Sequence, residues 1–313
     1  MNIQQLRYLH EIARRGLNVS EAAAALFTSQ PGVSKQVRLL EQELGITVFE
    51  RSGKRLTGVT EPGRQVLEIV ARMLQDAGNL KRVGEEYAAE AGGTLDIATT
   101  HTQARYLLPP VVKHFVARYP QVRLRLHQGN PQQVADWVAD GTADIGIATE
   151  ALAAQPRLVT LPCYQWSHLV VVPLGHPLLG QESVNLPMLA EWPLITYDPT
   201  FTGRTKIDHA FVRAGVVPNI VLTAVDSDVI KTYVELGLGV GIIAEMAFDP
   251  VRDAALAALP VGHLFATNTT RLGIRRGNWL RRIDFDFIEL FAPLLSRDVV
   301  MATLRGGGDD PGL

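Results

Sequence analysis

One cysteine, Cys163, stands among 313 residues, so the chain builds no disulfide of its own and no cysteine-only zinc cluster. Long apolar runs are missing too. The densest stretches, 169–174 and 240–244, fall far short of the roughly 20 residues that a bilayer span requires. Met1-Asn2-Ile3-Gln4-Gln5 offers no charged segment followed by an apolar one, so no secretory leader is expected, and the cytoplasm is the expected compartment. Catalytic signatures are absent: there is no GxSxG elbow, no HExxH and no Walker loop. Ser167 and His168 are adjacent, but neighbours on a strand point to opposite faces. The eight histidines show no metal-ligand spacing. We therefore expect no enzyme, no catalytic residue, no metal and no cofactor. Cys163 reads as a small buried hydrophobe rather than a redox reporter. His101 reads as structural or as a water-mediated contact rather than a base. What is plentiful is apolar surface, 47% of residues, enough for folded cores, and the length suits about two domains.

The net charge of -2 argues against a nucleic-acid partner only if it is evenly spread. It is not. Residues 1–59 carry eight basic and five acidic side chains, a local +3, and the remainder carries -5. A phosphate backbone responds to the local field rather than to the sum.

Ile3, Leu6, Leu9 and Ala13 recur at helical spacing, which predicts a first helix to about Arg15, stopped by Gly16. Ser20 is the expected cap of a short alanine-rich helix over 21–26, and Phe27-Thr28-Ser29 the turn after it. Ser29 caps a third helix, with Pro31 tolerated in its first turn. Val33, Val37, Leu40 and Leu44 form its buried stripe. Gln30, Ser34, Lys35 and Arg38 fall outside that stripe and are suited to base edges and phosphates. Gly45 ends the helix. Residues 46–57 read as a two-stranded wing with a basic tip at Arg51, Lys54 and Arg55. The order is that of a winged helix-turn-helix. A small helical domain with a solvated polar face is the competing reading.

Thr60 can cap a long helix, and Val66, Val70, Met73, Ala77, Leu80, Gly84 and Tyr87 step through it alternately by four and three. Such a seam implies a partner helix and hence a dimer, unless the helix packs in a core of its own chain. Gly92-Gly93 marks a joint. Beyond it, strands and helices alternate in a βαβαβ rhythm: strands 95–99, 122–126 and 145–148 with helices 106–118 and 131–140, then strands at 169–172, 194–196, 220–223 and 240–243. Helices are expected at 207–214, 229–236 and 281–295, with 158–161 and 270–275 as further extended runs. We expect mostly parallel sheets in two α/β lobes joined by two crossovers, with a cleft at the strand ends. The glycine-rich run 237–242 follows a helix and precedes a strand, the reverse of a nucleotide fingerprint, and reads as close backbone packing.

Several strings resemble a known family. Ala22-Ala23, Ser29-Gln30-Pro31, Val33-Ser34, Leu39-Leu40-Glu41, Leu44-Gly45, Phe49-Glu50-Arg51 and Thr60-Glu61-Pro62-Gly63 resemble the LysR-type transcriptional regulators. So do the runs 141–147 and 237–242. Residues 99–106, Ala148-Thr149-Glu150, 164–168, Phe201-Thr202-Gly203-Arg204 and 268–277 are similar to the CysB-like branch, activators of sulfur assimilation. The likeness spans residues 1 to about 300. It implies the following fold: a winged helix-turn-helix at 1–59, a linker and dimerisation helix at 60–91, and an α/β periplasmic-binding-protein-like effector domain at 92–304. Lobe I covers about 92–162 and 266–304, and lobe II about 163–265. The tail 305–313 is expected to be disordered.

The resemblance places Thr28, Gln30, Pro31, Ser34, Lys35, Arg38, Arg51, Lys54 and Arg55 on double-stranded promoter DNA. It places Thr100, Thr102, Gln103, Thr149, Trp166 and Thr202 on the effector, which is sulfate, thiosulfate or N- or O-acetylserine. Hydroxyls, a carboxamide and an indole N–H beside a helix N-terminus suit a small oxyanion. It further implies a homodimer pairing into a homotetramer, contact with RNA polymerase and no membrane role. The function implied is a ligand-responsive activator of sulfate assimilation and cysteine biosynthesis. A relative controlling sulfonate use is the alternative. A solute-binding receptor is the rival from another class, and it would need a leader and no wing.

Overall fold

The computed structural model describes residues 1–53, 55–87 and 93–306. The chain divides into two compact units, Met1–Gly84 and Glu85–Leu313.

In the first unit, α1 (Ile3–Arg14) starts from an Asn2 capping box closed by Gln5. Helix α2 (Val19–Ala25) is capped by Asn18, whose side-chain oxygen accepts from the amides of Ser20 and Glu21. Ser20, the expected cap, therefore lies inside the first turn. Asparagine caps as well as serine, and it stands next to the left-handed Leu17 that turns the chain. Ser29 caps α3 (Gln30–Leu44) by accepting from Gly32, and Gly45, at φ +68°, stops it. Strands β1 (Phe49–Ser52) and β2 (Arg55–Val59) pair antiparallel as the wing. Leu9, Ile12, Val33, Val37, Leu40 and Phe49 form the core beneath them.

Thr60 caps α4 (Glu61–Tyr87), its hydroxyl accepting from Gly63. Val70 is 2% exposed and belongs to that same core, with Val66, Leu67 and Leu74 packed around it. This corrects the seam. Its first part, Val66 and Val70, is consumed inside the chain's own N-terminal unit, which needs a lid for the small α1–α3 core. Met73, Leu80 and Tyr87 are exposed, Leu80 at 76% and Tyr87 at 82%.

The second unit holds two five-stranded sheets. Lobe I contains β3 (Gly93–Thr99), α5 (Leu108–Arg118), β4 (Val122–Gln128), α6 (Pro131–Asp140), β5 (Ile145–Ala148) and β6 (Leu158–Trp166). Lobe II contains β7 (His168–Pro173), α7 (Leu186–Ala190), β8 (Leu194–Tyr197), α8 (Thr202–Ala214), β9 (Ile220–Ala224), α9 (Ser227–Glu235), β10 (Val240–Ala244) and β11 (Leu256–Pro260). The chain returns through β12 (Asn268–Arg275) to α10 (Arg282–Phe291) and α11 (Arg297–Gly306). Strand order is β4-β3-β5-β12-β6 in lobe I and β11-β7-β10-β8-β9 in lobe II.

Among the described residues each sheet has two parallel and two antiparallel pairings, so neither is mostly parallel. The strands nearest the crossovers, β6, β7, β11 and β12, run against their neighbours because they carry the chain from one lobe to the other. For the same reason lobe I extends to Trp166 and lobe II begins at His168, later than the expected boundary at 162–163. Helix α11 is not announced by the sequence pattern, and Arg305 and Gly306, assigned to a disordered tail, are its last turn. Residues 307–313, Gly92 of the joint, and 88–91 of the linker lie outside the described residues.

Arg281 fastens lobe I together. Its guanidinium, 4% exposed, donates to Asp284 at 3.0 Å, to the Thr94 carbonyl at 3.0 Å and to Glu85 at 3.2 Å.

Candidate functional site

Each unit carries a candidate surface. In the first, α3 buries Val33, Val37 and Leu40. That orients the opposite face outward. Thr28, Gln30, Pro31, Lys35 and Arg38 are exposed and Ser34 is half-buried. Gln30 donates to the Ser34 hydroxyl at 3.1 Å, one helical turn on. Arg55, on the wing, is exposed, and Lys54 lies outside the described residues. Arg51 is different. Its guanidinium donates to Glu41 at 2.9 Å, and Glu41, buried, also accepts from the amides of Val48 and Phe49. Arg51 thus closes α3 onto the wing, and its charge is balanced inside the unit. Its place in the sequence groups it with the wing cations, because its partner lies ten residues upstream.

The second surface is the cleft between the two lobes of the second unit. Thr100 follows β3, and Thr102 and Gln103 open the π-helical turn Gln103–Leu107. Thr149 follows β5, Trp166 ends β6 and Thr202 opens α8. All six line one cavity of about 30 Å³, together with Pro131, Tyr197, Phe201 and Gly203. None of these lining residues is charged. Arg204, next along, turns away to Asp208 at 2.7 Å and to the Tyr197 carbonyl. Thr149 donates to the Thr202 hydroxyl at 2.8 Å, so one hydrogen bond ties lobe I to lobe II across the cavity.

The polar ends of the six differ in their aim. The Gln103 carboxamide donates to the Thr270 hydroxyl at 3.1 Å and accepts from the Tyr164 hydroxyl. The Trp166 indole N–H donates to the same Thr270 oxygen at 3.2 Å. Burial pushes the Tyr164 phenol well above its ordinary range, which keeps it a donor. Thr270 and Tyr164 were missed as part of this assembly because no local spacing links β12 to the turn at Gln103.

Behind the cavity sits His168, 1% exposed, edge-on to the Trp166 and Phe265 rings. A Cβ at Gly203 would stand 3.1 Å from its Nε2, so any side chain there would have to push the imidazole back by a few tenths of an ångström. Burial, with the nearby Lys206 charge, pushes the imidazole down to about 3. It is neutral at physiological pH. Lys206 itself pairs with Glu150 at 2.5 Å, a second tie across the lobes.

A larger cavity, about 280 Å³, lies beyond Phe201 and is lined by His101, Gln128, Asn130, Thr200 and Asp226 among others. His101 with Asp226 and Asp228 has ligand-type atoms all within 4.8 Å of one another. Asp228 already accepts from Tyr106 at 2.6 Å and pairs with Arg105 at 3.3 Å, and Asp226 caps α9. These interactions give both carboxylates partners within the chain. Cys163 is half-buried against the lobe I core, and burial pushes its thiol up to about 12, so it is held as an unreactive thiol.

Known proteins resemble the chain over both units. Residues 3–64 match the family described as bacterial regulatory helix-turn-helix protein, lysR family, and residues 88–295 match the LysR substrate binding domain. The chain is 54% identical to the HTH-type transcriptional regulator SsuR of Burkholderia cenocepacia, over 97% of this chain and 99% of that one. It is 53% identical to CysB of the same organism, over 98% of each. It is 49% identical to the regulator cbl of Escherichia coli, over 93% of this chain and 92% of that one. Among solved structures, the cofactor-binding domain of the Cbl transcriptional regulator superposes with a TM-score of 0.66 at 47% identity, covering 69% of this chain and 94% of that one. A full-length OxyR variant from Pseudomonas aeruginosa shares the fold over 94% of this chain and 97% of its own, with a TM-score of 0.65 and 21% identity. The chain belongs to the LysR family of helix-turn-helix transcriptional regulators, and is a regulator rather than an enzyme.

Proposed function

We propose that this regulator switches genes of sulfur assimilation and cysteine biosynthesis in answer to a small ligand held in the interlobe cleft. The observation that carries the reading is the cavity itself. Four threonine hydroxyls, the start of α8 and no lining cation gather around about 30 Å³, space for roughly two waters and thus for a compact ligand. Neutral donors at a helix N-terminus suit a small oxyanion, and the dipole of the 13-residue α8 favours its charge. So small a space favours a compact anion such as sulfate or thiosulfate over the larger N- or O-acetylserine, which would need more of the cleft.

Gln30, Ser34, Lys35 and Arg38 on α3, with Arg55 on the wing, read promoter DNA in this proposal. The exposed Met73, Leu80 and Tyr87 of α4 pair two chains, and two such pairs make a tetramer that meets RNA polymerase at activated promoters. The cytoplasm is its place of work. Control of sulfonate use is the second reading, and the near-equal identities to SsuR and CysB leave it standing beside the first. One experiment separates them: binding of the full chain to sulfate, thiosulfate, N-acetylserine and O-acetylserine, with transcript profiles on sulfate and on a sulfonate. Saturable binding of at least one of the four supports the cleft proposal, and binding of none removes it.

A further inference from the structure

Two of the N–H donors lining the cleft are already spent, and both are spent on one atom. Indole has a single N–H and no acceptor, and that of Trp166 is given to Thr270 Oγ at 3.2 Å. Gln103 has two N–H groups, one of which goes to the same oxygen at 3.1 Å. Thr270 is 0% exposed and does not line the cavity, whereas Trp166 and Gln103 both do. The Tyr164 hydroxyl completes the group. It donates to Gln103 Oε1 and lies against Thr270. Gln103, Thr270 and Tyr164 thus form a connected network into which the Trp166 N–H donates, with Tyr164 and Trp166 on β6, Thr270 on β12 and Gln103 on the turn 103–107.

We propose that the Thr270 hydroxyl is an internal competitor for the effector: it holds the Trp166 N–H, and an oxyanion in the cleft must take that donor from it. Thr270 is thus a positioning residue that sets how tightly the cleft binds, through Trp166. The inference rests on the reading that the cleft binds a small oxyanion. A consequence follows for Trp166. Its ring is packed against His168, and Gly203 of α8 approaches both. Turning the indole N–H from Thr270 toward the cavity therefore presses on the first turn of α8, where lobe II meets the ligand.

The sign of the effect separates this role from ordinary support. Thr270→Val keeps the shape and removes the acceptor, so the buried N–H of Trp166 has no competing partner in the free protein. An anion then recovers it at no cost, and thiosulfate should bind roughly tenfold tighter than to the parent chain. Thr270→Ser retains the oxygen and should bind as the parent does. The test is calorimetric titration of the full-length protein and both variants with thiosulfate. Fluorine NMR of 5-fluorotryptophan-labelled parent protein runs alongside, with the Trp166 resonance assigned by Trp166→Phe. Tighter binding by the valine variant, together with a Trp166 resonance that moves on titration, bears the proposal out. Unchanged or weaker binding by the valine variant overturns it, as does an unmoved Trp166 resonance in the parent, a readout that holds even if the variant fails to fold. If the parent binds no thiosulfate at all, the oxyanion reading of the cleft has failed instead.

Discussion

Thr202 is the first residue of α8, and its hydroxyl accepts from Thr149 across the lobes. Thr202→Val removes that hydroxyl from the cavity and should weaken effector binding by about 10-fold, with promoter binding unchanged in a gel shift. A normal effector response from Thr202→Val and Thr100→Val alike would contradict the cleft assignment. His168 gives a pH prediction. Its folded value, pushed down to about 3, lies below the ordinary imidazole range, so the unfolded chain binds the proton more readily. Stability is therefore full above about pH 6.5 and declines as pH falls toward the folded value. Thermal melts at pH 7 and pH 5 should show a smaller drop for His168→Phe than for the parent chain, and equal drops would refute the assignment. Residue identity around the cleft was legible: all six expected side chains line one cavity. Their aim was not. Gln103 and Trp166 point to Thr270, more than a hundred residues away, and no one-dimensional spacing carries that.

Elements were read well wherever a local signal sets them. Ser29, Pro31 and Gly45 bound α3, and α6 runs over Pro131–Asp140 as expected, between its asparagine cap and Gly141. Elements fixed by tertiary pairing were not read: β11 and α11 have weak patterns of their own, and β11 exists because β7 offers it an edge. Helix α4 shows the same limit. Its apolar steps are regular, but the fold divides them between two uses. Val70→Ala should cost about 2 kcal/mol of N-terminal-unit stability, read by denaturant melts. Leu80→Glu should leave that stability in place and shift the sedimentation of the full chain toward monomer, and an unshifted dimer would show that another surface pairs the chains. On α3, Lys35→Ala and Arg38→Ala should weaken promoter binding across sequences and lower the salt slope by about 1 for each phosphate that is no longer neutralised. Arg51→Ala should instead destabilise the wing, because it leaves the buried Glu41 without its countercharge and with the amides of Val48 and Phe49 alone.

At the scale of the whole molecule, charge and function divide along the same line. The basic excess of the first 59 residues belongs to the unit that presents α3, and the acidic excess belongs to the unit that holds the cleft. Ligand control of DNA binding requires the two equilibria to be linked: the ligand must bind one arrangement of the chain more tightly, and DNA must distinguish the same arrangements. Linkage is reciprocal, so the coupling can be measured from either side. The decisive experiment is calorimetry of the full-length protein against sulfate, thiosulfate, N-acetylserine and O-acetylserine. Each titration is run with and without a duplex selected from random sequence by the protein itself. At least one ligand should bind the cleft, and its affinity should change by roughly 5- to 150-fold when the duplex is present. Equal affinity with and without DNA, for every ligand that binds, would contradict the linkage.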